Sequence, residues 1–505
     1  MTYCPHCNSD KNQSRGVSIT SAGENQRYKC MDCERWFQIN QNIGYFKNNK
    51  FASRTLPDYD KHEIFVITGV QNDTVVNQQF LDSLTGYCKR RNAKLILMPI
   101  RFKYYDASEF RVDMDSMIFD SLALHPKLRL MANLPINPAI ESPLSSLENI
   151  SKGDSLIIAG TTLQMSVMPT LGTSPAILHT TGAITYPNTT STKQGVKSSF
   201  NHSFSALVVE IDGDDFHIRV LNGDTNNGFY DVDGYQSAAV FTPLKSIEAL
   251  VMGDIHVANV SPDVIDATFL MEESMVEMLK PKNIVLHDLH DHESESHHGT
   301  DIFSRFTKHV AKKDCVEAEL YKTVDFLTSY IPSYSTAVIV ESNHNAHLDR
   351  WLLDYPTKHQ TIQNSKFYHK MMYAMLDHIE IAGYKPNALE LWLNNCGENL
   401  PKMEFTSSED SYKIKDVELK LHGDKGINGA RGSSVSFSKL PVKTITGHSH
   451  TPKIHLGNWT VGTSSKLNMG YNDGTPSTWL HAAVIIHSNG LRQMLMITNG
   501  KWRKS

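Results

Sequence analysis

Five short segments of this chain carry side chains suited to chemistry with divalent metals. In order they read Gly253-Asp254-Ile255-His256, His287-Asp288, Asn343-His344, His422-Gly423-Asp424 and Gly447-His448-Ser449-His450. A pair of divalent ions needs hard and borderline donors on both, plus a carboxylate short enough to be shared, and Asp288 is the natural bridge. Each segment follows a short apolar or β-branched run: Leu250-Val251-Met252, Ile284-Val285-Leu286, Val338-Ile339-Val340, Leu419-Lys420-Leu421 and Thr444-Ile445-Thr446. An α/β sheet delivers side chains to one edge of its strands in this way. With 24 histidines in 505 residues, a single Gly-His or Asp-x-His is usually a turn or a surface pair. The ordered set of five predicts the ligands of a two-metal phosphoesterase.

The elements around these segments follow from hydrophobic periodicity. From Glu63, a strand (Ile64-Phe65-Val66-Ile67), an amphipathic helix from about Val75 to Arg91 and a strand (Leu95-Ile96-Leu97-Met98) predict a β-α-β unit. Residues 151–245 carry the run Ala206-Leu207-Val208-Val209-Glu210-Ile211 and Gly-Asp turns at 213–214 and 223–224, which suit an all-β or α/β accessory region packed on the catalytic part. Residues 41–60 read as a basic, polar linker. The expected organisation is a metal-binding ribbon at 1–40, the linker at 41–60, the accessory region at 61–245 and a catalytic domain at 246–505. A chain of 505 residues exceeds what one hydrophobic core supports, so several domains are expected.

Composition narrows the function. No run of eighteen apolar residues and no secretory leader is present, so neither a membrane span nor export from the cytoplasm is expected. A net charge of −5 and a pI near 6.6 exclude a globally basic surface. Contact with nucleic acid must then come from local patches, at Lys89-Arg90-Arg91 with Arg101 and Lys103, and from Lys413 to Lys425.

Four of the seven cysteines form two Cys-x2-Cys knuckles, Cys4/Cys7 and Cys30/Cys33, separated by 22 residues. The spacing suits one tetrahedral structural Zn²⁺ with a short hairpin between the knuckles. A redox pair or coincidence are the alternatives. Cys88, Cys315 and Cys396 read as ordinary buried thiols.

Two loops beside the ligands admit two readings each. His287 to His298 holds five histidines along with Asp288, Asp291, Glu293 and Glu295. It could bind further metal, but a solvated active-site loop is the favoured reading, Asp288 apart, with His298 within reach of a substrate phosphate. In Asp424 to Ser433, glycines permit close backbone approach while Lys425 and Arg431 could grip a phosphodiester. A structural turn explains that loop nearly as well.

Taken together, the five segments resemble the motifs of the calcineurin-like metallophosphoesterase superfamily over about residues 246–505. The resemblance implies an α/β fold, a two-sheet sandwich flanked by helices, with the accessory region and the ribbon appended. By position it implies one metal on Asp254, His256, Asp288 and His450, and a second on Asp288, Asn343, His422 and His448. His344 matches the family's non-ligand histidine, the expected general acid in cleavage by water acidified between two cations. Two residues depart from the pattern: His287 stands where the family has Gly before the bridging Asp, and Ser342 where it has Gly before Asn-His. Both flank ligands, so they bear on how the ligands are held.

Two further resemblances point toward DNA. The first forty residues, with Arg27-Tyr28-Lys29 entering the second knuckle and Trp36-Phe37 closing it, look like the zinc ribbons at the N-termini of insertion-element transposase proteins. Thr68 to Pro99, Thr181-Gly182-Ala183 and the His422 to Gly432 loop look like the pre-early nuclease-type proteins of large tailed phages, implicated in host DNA degradation and first-step DNA transfer. The resemblances imply a deoxyribonuclease acting in the host cytoplasm, using two divalent ions, Mn²⁺ foremost, and one structural Zn²⁺. DNA is the expected partner, with self-association as a homo-oligomer open. A phosphomonoesterase, a cyclic-nucleotide phosphodiesterase and a DNA-binding scaffold remain the alternatives.

Overall fold

The computed structural model describes residues 7, 9–20, 23–40, 61–101, 110–170, 175–296, 301–358, 361–470 and 472–504. Cys4, His298 and the expected linker at 41–60 lie outside the described residues. The chain divides into two compact units, residues 1–55 with 120–123, and residues 56–119 with 124–505.

The first unit contains a three-stranded antiparallel sheet, Asn12–Thr20, Gly23–Cys30 and Trp36–Asn40. Cys30 closes the middle strand and is fully buried, with Tyr28 and Cys33 packed against it.

The second unit is mixed α/β, as the sequence predicts. Ile64–Gln71 and Lys94–Ile100 pair in parallel, and the helix Gln78–Arg91 crosses between them. That helix starts at Gln78 rather than near Val75, because the Asn77 side chain accepts from the Phe80 N–H (3.2 Å) and caps it. Val75 and Val76 are instead held extended by backbone pairing to Thr185 and Tyr186. Phe80, Leu84 and Tyr87 then bury against Val66, Val70 and Phe229. Ser205–Asp212 and Asp215–Asn222 form a hairpin on this sheet, turning through Gly213-Asp214.

A six-stranded sheet carries the first three ligand segments. Its order is Met403–Phe405, Thr336–Ile339, Asn283–Leu286, Ala249–Val251, Ala482–Ile486, Arg492–Met496; the first four are parallel and the last two antiparallel. Its central strands are apolar on both faces because both are covered, which is the rule for parallel strands. Leu250, Ile284, Leu286 and Ile339 share one core with the helices Val316–Tyr330, His347–Lys358, Ile362–Ala382 and Ala388–Asn395.

A longer sheet carries the last two segments. From one edge it runs Lys413–Ile414, Val417–Glu418, Lys443–Thr446, Asn458–Thr460, Lys453–His455, Gln164–Met168, Ala176–Thr180, Ser155–Ile158, Leu128–Met131. The pairings Ile454↔Met165 and His455↔Gln164 make it continuous across residue 245. The strand expected at Leu419-Lys420-Leu421 ends at Glu418 instead. The Glu418 carboxylate accepts from the N–H groups of Tyr412 (2.9 Å) and Lys420 (3.1 Å), which draws the chain out of the ladder.

A buried ion cluster ties the hairpin to the strand Arg492–Met496 of the six-stranded sheet. Arg219 donates to Glu210 (2.8 and 2.9 Å) and to Asp231 (3.0 and 3.2 Å), and Asp231 also accepts from Tyr87 (2.7 Å) and Gln493 (3.0 Å). Among the described residues, no helix is long and apolar enough to cross a membrane.

Candidate metal centre

The strands Ala249–Val251, Asn283–Leu286, Thr336–Ile339 and Lys443–Thr446 each end shortly before a ligand segment begins. The loops that follow are clamped to one another. The N–H groups of Ile255 and His256 donate to the carbonyls of His287 (2.9 Å) and Asp288 (2.8 Å), Ser464 N–H to Asp254, and Gly447 N–H to His422. Four of the seven ligand candidates sit in left-handed backbone: His256 (φ 49°), Asp288 (φ 43°), His448 (φ 70°) and His450 (φ 56°). Such conformations cost a non-glycine residue on the order of 1–3 kcal/mol each and persist only where the surroundings over-determine them, a pattern that clusters at functional sites. Gly447 is required for a different reason. A Cβ there would lie 2.3 Å from Asp254 Oδ1.

The candidates converge in overlapping groups, which Asp254 also links by approaching His287 and His422. Asp254, His256 and His450 bring their ligand atoms within 4.8 Å of one another, and so do Asp288, His422 and His448. His450 Nε2 lies 3.2 Å from Asp254 Oδ2 and 3.1 Å from His256 Nε2, while His422 Nε2 lies 3.1 Å from Asp288 Oδ2. Asp288 Oδ2 is also 3.7 Å from His256 Nε2, so this one carboxylate faces both groups. Asp254 Oδ1 and Asp288 Oδ1 in this cluster are buried without a hydrogen-bond partner among the described residues, and so is Oδ1 of Asn343, the neighbour of His344 in the chain. Desolvated carboxylate and amide oxygens are expensive to leave unpaired, and a cation in the cluster answers both carboxylates. The donor set therefore fits a pair of divalent ions.

The electrostatics agree. Burial alone would raise the Asp288 carboxyl, but His422, with His344 and His256, holds it well below its ordinary value. Asp254 is also lowered, burial again opposing and the His450 hydrogen bond and His422 prevailing. Burial opposes charge on His256 and His422 too, yet Asp291 raises His256 to about 9 and Asp288 raises His422 to about 9. The cluster thus holds protons in the positions that a divalent cation would take.

Two orienting residues escape sequence reading. Asp291 Oδ1 accepts from His256 Nδ1 (2.6 Å), and Asp291 Oδ2 accepts from Asn259 (3.2 Å), which aims His256 Nε2 into the cluster. A carboxylate behind a ligand histidine is the usual means of setting its tautomer. His287, the departure from the superfamily pattern, is buried, with Nδ1 3.3 Å from His422 Nδ1. Burial, with His422 nearby, lowers His287 to about 4, so it stays neutral and accepts the His422 N–H. It does for His422 what Asp291 does for His256.

The expectation of a solvated loop after Asp288 is overturned. His287, His290, Asp291, His292 and Ser294 are all buried. The Glu319 carboxylate accepts from the N–H groups of Glu293 (2.6 Å) and Ser294 (2.8 Å), and Asn345 Oδ1 accepts from His290 N–H (3.0 Å). These anchors come from a helix and a loop distant in sequence, which local composition does not reveal.

His344 is partly exposed beside the cluster, its ring edge-on to His256 at 4.7 Å and its Nδ1 3.2 Å from Asp291 Oδ1. Lys425 and Arg431 are exposed at either end of a backbone-bridged turn, with Gly429 at φ 76°. In the first unit, Cys7, Cys30 and Cys33 bring their sulfurs within 4.8 Å, with Cys7 and Cys30 3.5 Å apart. The Cys33 backbone N–H, with burial opposing, lowers the Cys30 thiol to about 6. Cys88 is buried, and Cys315 and Cys396 are partly so.

No family model matches the chain. A crystal structure of Chaetomium thermophilum Vps29 is 12% identical and covers 32% of this chain and 93% of that chain, at a TM-score of 0.19, too slight a likeness to bear on fold or activity. Protein A1 of Escherichia phage T5 is 30% identical over 466 residues, which span 87% of this chain and 82% of that protein. An identity of that level sustained over most of both chains places this protein in the family of phage T5 Protein A1.

Proposed function

We propose that this protein is a two-metal phosphodiesterase that cuts DNA. The observation that carries the reading is the pair of Asp/His groups facing one carboxylate, Asp288, with buried and unpartnered oxygens on Asp254 and Asp288 themselves. Asp254, His256, Asp288 and His450 would hold one divalent ion, and Asp288, Asn343, His422 and His448 the other. Divalent cations bound there supply Lewis acidity, drawing charge off phosphate oxygens and acidifying water.

The chain's own residues do the rest. Asp291 and His287 keep His256 and His422 in one tautomer each. His344, partly exposed and 3.2 Å from Asp291, is placed to give a proton to the departing oxygen and be recharged beside that carboxylate. Lys425 and Arg431 offer exposed cations to the flanking phosphates. Membership in a phage protein family and the exposed Lys413, Lys415 and Lys425 support DNA as the substrate and the host cytoplasm as the place of action, whereas Arg90 and Arg91 are taken up by Asp233 and Glu210. The first unit is read as a zinc ribbon on Cys4, Cys7, Cys30 and Cys33, and residues 246–505 as a metallophosphoesterase sandwich. Mn²⁺ suits the mixed Asp/His/Asn set.

The test is hydrolysis of linear duplex DNA, single strands, bis(p-nitrophenyl) phosphate, a nucleoside monophosphate and a cyclic nucleotide by the full-length protein with Mn²⁺. Chelator-sensitive cleavage of DNA and of the diester is expected. Turnover confined to the monoester or the cyclic nucleotide would replace the DNA reading. Absence of metal-dependent hydrolysis on every substrate would end the phosphoesterase reading altogether.

A further inference from the structure

The strand Arg492–Met496 opens on a buried guanidinium that forms no ion pair among the described residues. Arg492 is 8% exposed, and its Nη1 donates to the carbonyls of Thr444 (2.9 Å) and Gly457 (2.8 Å). Its guanidinium carbon lies 4.7 Å from the centre of the Trp459 ring. Among the described residues it forms no ion pair, and its Nε and Nη2 have no hydrogen-bond partner. Arg219 shows how the same fold treats a purely structural guanidinium, gripping it between Glu210 and Asp231. Two neutral carbonyls fix Arg492 in place without answering its charge, and burial lowers it to about 9, with only Asp416 opposing. A buried, positioned and uncompensated cation is an anion site in waiting.

Arg492 lines a cavity of about 470 Å³ together with Lys443, Trp459, Phe200, Asn201 and Ser203. The volume is in the range of small-molecule sites. Phe200, at the end of the helix Lys193–Asn201, is 89% exposed, an unusual position for a bare aromatic ring. Lys443 begins the strand Lys443–Thr446, whose far end leads to His448, so the cavity lies at the opposite end of that strand from the metal centre.

We propose that this cavity is a second site, separate from the metal centre, for an organic phosphate of nucleotide size. The fixed guanidinium of Arg492 presents its free N–H donors to the phosphate oxygens, a geometry that suits Arg better than Lys. Lys443 stands at the rim, where its ammonium pairs with Asp416 (2.7 Å), and Phe200 offers a face on which a base stacks. The inference does not depend on the metal centre being active.

The experiment is calorimetric titration of the full-length protein, in EDTA and on an Asp288→Asn background, with deoxyadenosine monophosphate, inorganic phosphate and deoxyadenosine. Saturable binding of about one equivalent of the monophosphate is expected, with phosphate and nucleoside at least roughly tenfold weaker. Arg492→Met and Lys443→Glu are expected to weaken it roughly 10- to 100-fold, and Phe200→Ala roughly tenfold. Should Arg492→Met fail to fold, Lys443→Glu and Phe200→Ala decide alone, since both side chains reach solvent. No saturable binding at millimolar nucleotide, or binding that survives both of those substitutions unchanged, overturns the proposal. So does inorganic phosphate or nucleoside binding as tightly as the nucleotide.

Discussion

Asp288 is the residue on which the proposed centre turns, because its carboxylate lies 3.1 Å from His422 Nε2 and 3.7 Å from His256 Nε2 and so faces both groups of histidines. Asp288→Asn keeps the shape and removes the charge, so one of two Mn²⁺ ions and most hydrolysis are expected to be lost, with the thermal melt retained. Metal analysis that still finds two ions at wild-type turnover would show that the bridge lies elsewhere. His344 separates chemistry from metal binding. It comes within 4.8 Å of the ligand atoms of His256 and Asp291 but is not among the residues proposed to hold either ion, so His344→Ala is expected to keep both ions while slowing an unactivated diester roughly 10²–10⁴-fold. A nitrophenyl ester, whose leaving group needs no proton, is expected to lose much less. Equal losses on the two esters would mean that His344 positions phosphate rather than protonating it.

At the scale of elements, the centre depends on loops that approach closely enough for left-handed ligand backbones to persist. Gly447 is one of these approaches, lying under Asp254 and against the His287 ring. A methyl group there must push aside the Asp254 carboxylate and the His287 side chain, both of them buried. Gly447→Ala is therefore expected to weaken Mn²⁺ binding by at least roughly tenfold, as loss of a ligand-orienting contact does, with little change in secondary structure. Competition with a fluorescent chelator measures it; unchanged affinity would show that Asp254 is free to move or is not a ligand.

Across the whole molecule, the Arg219–Glu210–Asp231 cluster binds the hairpin Ser205–Asn222 to the strand Arg492–Met496 through Gln493. Burial would raise the Glu210 carboxyl, but Arg219 holds it at about 2, below its ordinary 4.5. A depressed carboxyl contributes stability that is whole above the unfolded value and disappears as pH falls through the folded one. Unfolding free energy is thus expected to fall between about pH 4.5 and 2 in urea titrations. Arg219→Met strands two buried carboxylates and is expected to destabilise by about 3–5 kcal/mol at pH 7; a loss under about 1 kcal/mol would show that water reaches the cluster. The ribbon is a separate matter. If Cys4, Cys7, Cys30 and Cys33 hold zinc, that ion supplies much of the folding energy of a segment too small for a core of its own. Deletion of residues 1–45 is expected to leave hydrolysis of a small ester intact while weakening duplex binding and flattening its salt dependence. Unchanged DNA affinity and salt slope in the truncated protein would assign the ribbon to protein contact.

The sequence by itself determines what is local. Ligand types, their order and the apolar runs before them are legible because a strand and its following loop are contiguous in the chain, and the β-α-β unit at 64–100 is legible for the same reason. Its helix start is misjudged by three residues because Asn77 competes for the Phe80 N–H and Thr185 holds Val76 extended. The tertiary structure alone decides what depends on distant partners. Asp291 becomes an orienting group, and its loop a buried one, only when Glu319 and Asn345 fold over it. His287 acquires its role from His422, 135 residues away, and Arg492 its isolation from the carbonyls of Thr444 and Gly457. Residue 245, a change of character in the sequence, is no break in the sheet, since the hydrogen bonds of an edge strand accept any partner of matching register. Periodicity reports which face of a strand is buried, and the choice of what buries it belongs to the folded chain.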